Sequence, residues 1–184
     1  MDGKCTCGAV RYLMMRRPVF VLARHCTWCQ RETRSAFALK AMIGAANVEV
    51  LAGAPEAVAT TSHSGQGQIV LRCPACRVAL WSHFGGAGRV AFVRVARLDA
   101  PSACPPDIHI FTSTKQDWLS LDGRVPVMAD YAVMADYAVM ADYAVMADYP
   151  VMADYHDWKK HLPTERIARR ETMLAGKSEK GGAQ

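Results

Sequence analysis

Hydrophobic positions in this chain come in short runs, most of them bounded by glycine, proline or polar clusters. Ala9–Leu13 alternates in part, and Val19–Ala23 is continuously apolar. Further runs are Ala36–Leu39, Asn47–Leu51, Gln68–Leu71 and Arg89–Val95. The last is the cleanest strand: Val90, Phe92 and Arg94 share one face of an extended chain, and Ala91, Val93 and Val95 share the other. No apolar stripe of three helical turns precedes residue 160. The pattern predicts a mostly β domain of two packed sheets. Gln30–Thr33 has room for one helical turn, Gly53-Ala54-Pro55 reads as a turn, and Ser62–Gly67 as a hairpin-type connection. From Thr164 to Leu174 a C-terminal helix is expected, with Thr164 as cap and Ile167, Ala168, Met173 and Leu174 as apolar members; the last ten residues should fray.

Ahead of that helix, the unit PVMADY or AVMADY occurs five times in succession, from Pro126 to Tyr155. Six residues turn a helix by about 600°, so successive Met and Tyr side chains would point in different directions. An extended chain would instead keep Val, Ala and Tyr together and Met, Asp and the linking Ala opposite. Irregular insert, helix and strand all stay open, and Pro150 would interrupt a helix begun at Ala132. The expected organisation is a β domain over 1–125, a repeat insert over 126–155, and a return segment, helix and tail over 156–184 that belong to the same domain.

Length and charge narrow the function. A chain of 184 residues can bury a core without disulfides. Residues 1–125 carry net +7 and the insert −5, within a total of +5. A basic body without a basic-aromatic stripe or a recognition helix argues against nucleic acid as partner. No stretch approaches eighteen uninterrupted apolar residues, so no conventional membrane span is expected. Seven cysteines, an odd number behind a polar start with no signal peptide, point to a reducing compartment, the cytoplasm, and to thiolate metal sites.

Cys5-Thr6-Cys7-Gly8 and Cys73-Pro74-Ala75-Cys76 together supply four soft ligands, enough for a tetrahedral zinc at about 2.3 Å per bond. Joining Cys7 to Cys73 closes a 66-residue loop, worth about 4 kcal/mol on the chain-entropy account of cross-links. Free core cysteines or a redox disulfide are the alternatives, and Gly8 would relieve crowding beside the ion. A second cluster is Arg24-His25-Cys26-Thr27-Trp28-Cys29-Gln30. Cys26 and Cys29 have ligand spacing, but two sulfurs make an incomplete site; His25, Cys104, His109, or water with an added thiol would complete it. An open zinc position is what catalysis on a substrate thiol needs. Two reduced core cysteines, or a redox pair, are the competing readings, the second weakened by the lack of a surrounding βαβ pattern. Arg24 would favour thiolates, clamp a ligand carboxylate, or lie at the surface. Trp28 reads as pocket wall or packing, and His109 as facing a site or solvent. Trp118 reads as a core or rim aromatic, while His63, His83, Met14 and Met15 are ordinary.

Taken together, Cys5–Tyr12, His25–Gln30, Cys73–Cys76 and His109–Lys115 followed by Trp118 resemble the glutathione-dependent formaldehyde-activating enzyme family, which also contains centromere protein V. The resemblance covers residues 3 to about 125 and resumes at Tyr155-His156-Asp157-Trp158. It implies a compact, zinc-stabilised, β-sandwich-like fold with a structural zinc on Cys5, Cys7, Cys73 and Cys76. It also implies a second, catalytic zinc on a C-H-C-x-x-C segment whose positions here are Arg24, His25, Cys26 and Cys29. The implied activity is carbon-sulfur lyase-like: a small thiol such as glutathione is added to formaldehyde or a related small aldehyde. Arg24 would then orient a glutathione carboxylate, and His25 or His109 would move a proton. Two departures mark this chain. Arginine replaces the first cysteine of the triplet, and Arg77 follows the knuckle where the family has glycine. An arginine does not ligate zinc in its protonated state. The alternative is therefore a non-catalytic, zinc-stabilised binding or scaffold protein that has lost the second zinc, with the insert contacting a second copy in a homo-oligomer.

Overall fold

The computed structural model describes residues 1–62, 67–84, 88–129 and 164–174. The centre of the Ser62–Gly67 connection, His63, the repeat beyond residue 129, Tyr155–Trp158 and the last ten residues lie outside them. Two compact units divide the chain, Met1–Tyr131 and Ala132–Gln184. The second contributes one described element, the helix α2 (Thr164–Leu174), over the span expected from its sequence. The side chains of Met173 and Leu174 lie outside the described residues.

The first unit carries two sheets. The smaller has the order β1-β2-β5, from β1 (Asp2–Lys4), β2 (Arg11–Met14) and β5 (Val48–Ala52). The larger is built from β3 (Phe20–Arg24), β4 (Ala38–Gly44), β6 (Glu56–Thr60), β7 (Gln68–Arg72), β8 (Ala79–Phe84), β9 (Val90–Arg94) and β10 (Ile108–Ile110). Its order is β10-β3-β4-β9-β8-β7-β6, and only the β10–β3 pairing is parallel. One short helix, α1 (Thr27–Thr33), follows β3 and exceeds the single turn expected from its sequence.

The central strands of the larger sheet are buried on both faces, which is why β3 and β9 read as near-continuous apolar runs. On one face Val21, Ala41, Val93 and Trp81 stand side by side across four strands and pack against the smaller sheet. Tyr12 of β2 is fully buried there, its ring edge-on to Trp81 at 5.3 Å. Burying aromatic side chains of this size supplies about 2–3 kcal/mol each. On the opposite face the register aligns Leu22, Lys40 and Arg94 in one row, so two cationic side chains sit at positions where a sheet normally buries apolar ones. That face carries the chemistry described below.

Two local features bear on the sites described below. Gly53 reverses the chain between β5 and β6 at φ +71°, and a Cβ there would meet the Ala9 carbonyl oxygen at 2.2 Å, so only glycine lets this turn lie against the residue after Gly8. The opening residues of the first hexapeptide lie beside β10. The His109 N–H donates to the Pro126 carbonyl at 2.9 Å, and the Met128 N–H donates to the His109 carbonyl at 2.9 Å. The first compact unit therefore continues past residue 125.

Candidate metal centre and the second cysteine pair

Cys5 and Cys7 sit in the tight turn between β1 and β2, and Cys73 and Cys76 in the turn between β7 and β8. Each turn closes on its own backbone. The Cys5 N–H donates to the Val10 carbonyl at 3.0 Å and the Gly8 N–H to the Cys5 carbonyl at 3.1 Å. In the other turn the Cys73 N–H donates to the Val78 carbonyl at 3.0 Å and the Arg77 N–H to the Cys73 carbonyl at 2.9 Å. The residues after each turn's last tight position, Gly8 (φ 77°) and Arg77 (φ 61°), are both left-handed. Gly8 is thus required for its backbone conformation and not for crowding, since nothing lies within 4 Å of its Cβ position. Arg77 takes the same conformation as an L-residue, at a cost of about 1 kcal/mol.

The two turns bring all four sulfurs within 4.8 Å of one another. Cys5 Sγ lies 3.4 Å from Cys7 Sγ, and Cys7 Sγ 3.7 Å from Cys73 Sγ. A tetrahedron of sulfurs at Zn–S bonds of about 2.3 Å has edges of about 3.8 Å, so the cage has the size of a zinc site. Backbone N–H groups point at the sulfurs, from Val10 to Cys5 at 3.2 Å and from Cys76 to Cys73 at 3.5 Å, as thiolates require. Four such sulfurs cannot share one volume as anions without a cation. The Val78 and Cys7 N–H groups draw Cys76 down to about 6. Cys7, although the Ala9 N–H pulls it down, is pushed up to about 11 by Cys5 and Cys76. A divalent ion would remove this conflict by taking all four as thiolates. This is the one cluster of its kind among the described residues.

The second cysteine pair lies at the end of β3. Cys26 occupies the N-cap of α1, and its sulfur accepts the Cys29 N–H at 3.4 Å, a place usually held by an oxygen-bearing side chain. Both cysteines are buried. None of the expected completing groups makes a three-donor cluster with them among the described residues. Cys104 belongs to the core on the other face, with its thiol 3.9 Å from Met1 Sδ. His25 Nε2 is instead 2.9 Å from His109 Nδ1, with the two ring centres 5.1 Å apart and the planes tilted by 35°. Gln30 braces this pair, donating to the His25 carbonyl at 2.6 Å and to the Thr114 carbonyl at 2.7 Å. Burial, with His109 and Lys115 adding to it, holds His25 down to about 4, and burial also lowers His109, so both imidazoles are neutral at pH 7.

Cations surround the pair. Arg24 is 3% exposed, its guanidinium 5.4 Å from the Phe84 ring centre and 5.2 Å from that of Phe111. Lys40 is fully buried, with Nζ 5.2 Å from the Phe84 centre and no hydrogen-bond partner among the described residues. Arg94 is 4% exposed and donates to Glu32 at 2.9 Å, while Arg72 donates to the other oxygen of Glu32 at 3.1 Å. Burial, then the charge of Arg94, drives Lys40 well below the usual lysine range. A hydrogen bond from Cys26 draws the Cys29 thiol well down against the effect of burial, and Lys40, Arg24 and Arg94 add to that pull; the same bond pushes Cys26 up. Sequence reading passed over Lys40, Glu32 and Arg72. The available signal was a lysine inside the apolar run of β4, in the same alternation that placed Arg94 on the inner face of β9.

Outside α1, a shallow cavity of about 360 Å³, wide open to solvent, is lined by Gln30, Arg31, Arg34, Ser35, Gln116 and Trp118 among others, and Trp118 is 72% exposed. Trp118 is therefore a rim aromatic, one of the two places expected for it. The His83 Nδ1–H donates to the Val90 carbonyl at 2.8 Å, and His83 joins no metal-donor cluster among the described residues.

No helix among the described residues is long and apolar enough to cross a membrane. No curated protein matches the chain. A crystal structure of a Rhodobacter sphaeroides protein from structural genomics is similar at 18% identity and TM-score 0.43, covering 69% of this chain and 99% of that one. The profile of the glutathione-dependent formaldehyde-activating enzymes matches residues 1–114, a span holding both cysteine clusters and the His25–His109 pair. More than half of the chain is thus accounted for, and the protein belongs to the glutathione-dependent formaldehyde-activating enzyme family.

Proposed function

We propose that this protein adds a small thiol, with glutathione as the type, to formaldehyde or a related small aldehyde. The observation that carries the reading is the family match over residues 1–114, which spans Cys26, Cys29 and the paired imidazoles. In the reaction the substrate sulfur bonds to the aldehyde carbon, the carbonyl π pair moves to oxygen, and the thiol proton ends on that oxygen. A neutral imidazole can accept the first proton and return it. His25 and His109, joined at 2.9 Å with His109 half-buried, form such a relay between the buried cysteines and the exterior. Arg24 is too buried to meet a ligand carboxylate without desolvating it, so we assign that task to Arg31 and Arg34 on the 360 Å³ cavity, whose rim tryptophan can cover the peptide body.

Zinc suits the four-sulfur cage on Cys5, Cys7, Cys73 and Cys76, where its contribution is a structural cross-link. The Cys26–Cys29 pair supplies two donors and does not fit the family's second ion, so no step is assigned to one. The reading is of a cytoplasmic protein with small-molecule substrates and no nucleic acid or membrane partner. Adduct exchange between glutathione and ¹³C-formaldehyde, followed by NMR, tests it. The rate should exceed the uncatalysed background and fall at least about tenfold in Cys29→Ser and in His109→Asn. A rate equal to background would sink it. One observation favours the second reading, a non-catalytic zinc-stabilised scaffold: a buried guanidinium stands two residues before Cys26, and no third donor accompanies the pair among the described residues.

A further inference from the structure

We infer that Cys26 and Cys29 form a metal-free dithiol in this chain, and that the buried guanidiniums of Arg24 and Arg94 supply the positive charge an ion would bring. Three observations converge on this. First, the donors fall short: two sulfurs leave a tetrahedral ion two ligands short, and no His, Cys, Asp or Glu atom completes a trio among the described residues. The adjoining imidazole, His25, has its Nε2 engaged with His109 at 2.9 Å, its unpartnered Nδ1 completes no trio with the two sulfurs, and Lys40 Nζ makes no hydrogen bond to either sulfur.

Second, the charge at the site already has the wrong sign for a cation. Arg24 and Arg94 are guanidiniums held at 3% and 4% exposure, and Glu32 is the carboxylate that the described contacts bring to Arg94, shared with Arg72. A divalent ion entering here would stand beside two buried arginines. Third, the polar groups left over are donors. Lys40 Nζ and the Nε and Nη1 of Arg94 are buried without hydrogen-bond partners among the described residues, so what the site adds around the pair is N–H groups and not further ligands for an ion. The same cluster thus explains both why the pair needs no metal and why it would reject one.

The test counts zinc. The full chain, loaded with excess zinc chloride, desalted and weighed by native mass spectrometry, should carry one zinc, and Cys26→Ser should still carry one. Arg24→Cys, which supplies a third sulfur and removes a guanidinium, should carry two. Two zincs in the unsubstituted chain falling to one in Cys26→Ser would overturn the inference. So would a folded Arg24→Cys chain, verified by circular dichroism, that still held one. Should that variant not fold, the unsubstituted chain and Cys26→Ser decide the matter alone. The count is independent of turnover: one zinc without adduct exchange removes the proposed reaction and leaves the dithiol, whereas two zincs with exchange does the reverse.

Discussion

Two cysteine clusters in one compact unit share a C-x-x-C spacing and little else. At the Cys73–Cys76 turn, a second tight turn delivers two more sulfurs and backbone N–H groups point at the cage. At Cys26–Cys29 the fold delivers arginines, a lysine and an imidazole already paired to another. The difference teaches that C-x-x-C fixes only the local geometry of two sulfurs. Whether those sulfurs hold an ion depends on what distant strands place opposite them, and here β1–β2 brings donors while β4 and β9 bring charge.

The strongest way to break this comparison is to remove a sulfur from each cluster. Cys73→Ser should cost up to about 4 kcal/mol, the full closure value if the three remaining sulfurs no longer hold the ion, and urea unfolding with and without a chelator should show the loss. Cys26→Ser should leave chelator sensitivity unchanged, and equal effects of the two substitutions would erase the distinction. Next in size is Glu32→Gln. It strips the carboxylate shared by Arg72 and Arg94, and breaking a buried pair of this kind costs about 3 kcal/mol in denaturant unfolding. A cost near zero would show that the cation cluster is compensated elsewhere.

Smaller is a pH effect from the imidazole pair. His25 sits near 4 in the folded chain against 6.5 unfolded, so its contribution is whole above 6.5 and drains away as pH falls from 6.5 toward 4, at most about 3 kcal/mol. His25→Asn should flatten that slope in thermal melts taken across the range. The smallest effect belongs to Arg77→Gly. Relief of its left-handed backbone at φ 61° should raise stability by about 0.5 kcal/mol, net of the entropy glycine adds to the unfolded chain and of the Glu56 ion pair. A fall of 1 kcal/mol or more would mean that the ion pair outweighs the strain.

Much of this architecture was legible in order along the chain. β2, β3, β5, β7 and β9 fall on the short apolar runs, β4 only begins at the end of one, and α2 falls on the predicted helix, because each carries its burial pattern in its own residues. Of the strands not anticipated, β8 carries buried Ala79–Ser82 in its own residues and was passed over, while β1 and β6 lack that property. β1 is Asp2-Gly3-Lys4, a strand made by its partner: Tyr12 lies over Gly3 so closely that a Cβ there would sit 2.4 Å from its ring. β6 is mostly exposed and reads as a loop. The four-sulfur cage was legible because two short cysteine spacings need no further information to suggest a tetrahedron. The cation cluster was not, since Lys40 and Arg94 become neighbours only through the β4–β9 register, and Glu32 meets Arg72 across 40 residues of chain.

X-ray absorption at the zinc edge of the purified protein tests the central claim most directly, that one ion is gripped by four sulfurs and nothing else holds metal. The account predicts a single shell of four sulfurs at about 2.3 Å with no nitrogen or oxygen contribution. A mixed shell averaging three sulfurs or fewer, with light-atom scatterers near 2.0 Å, would contradict it.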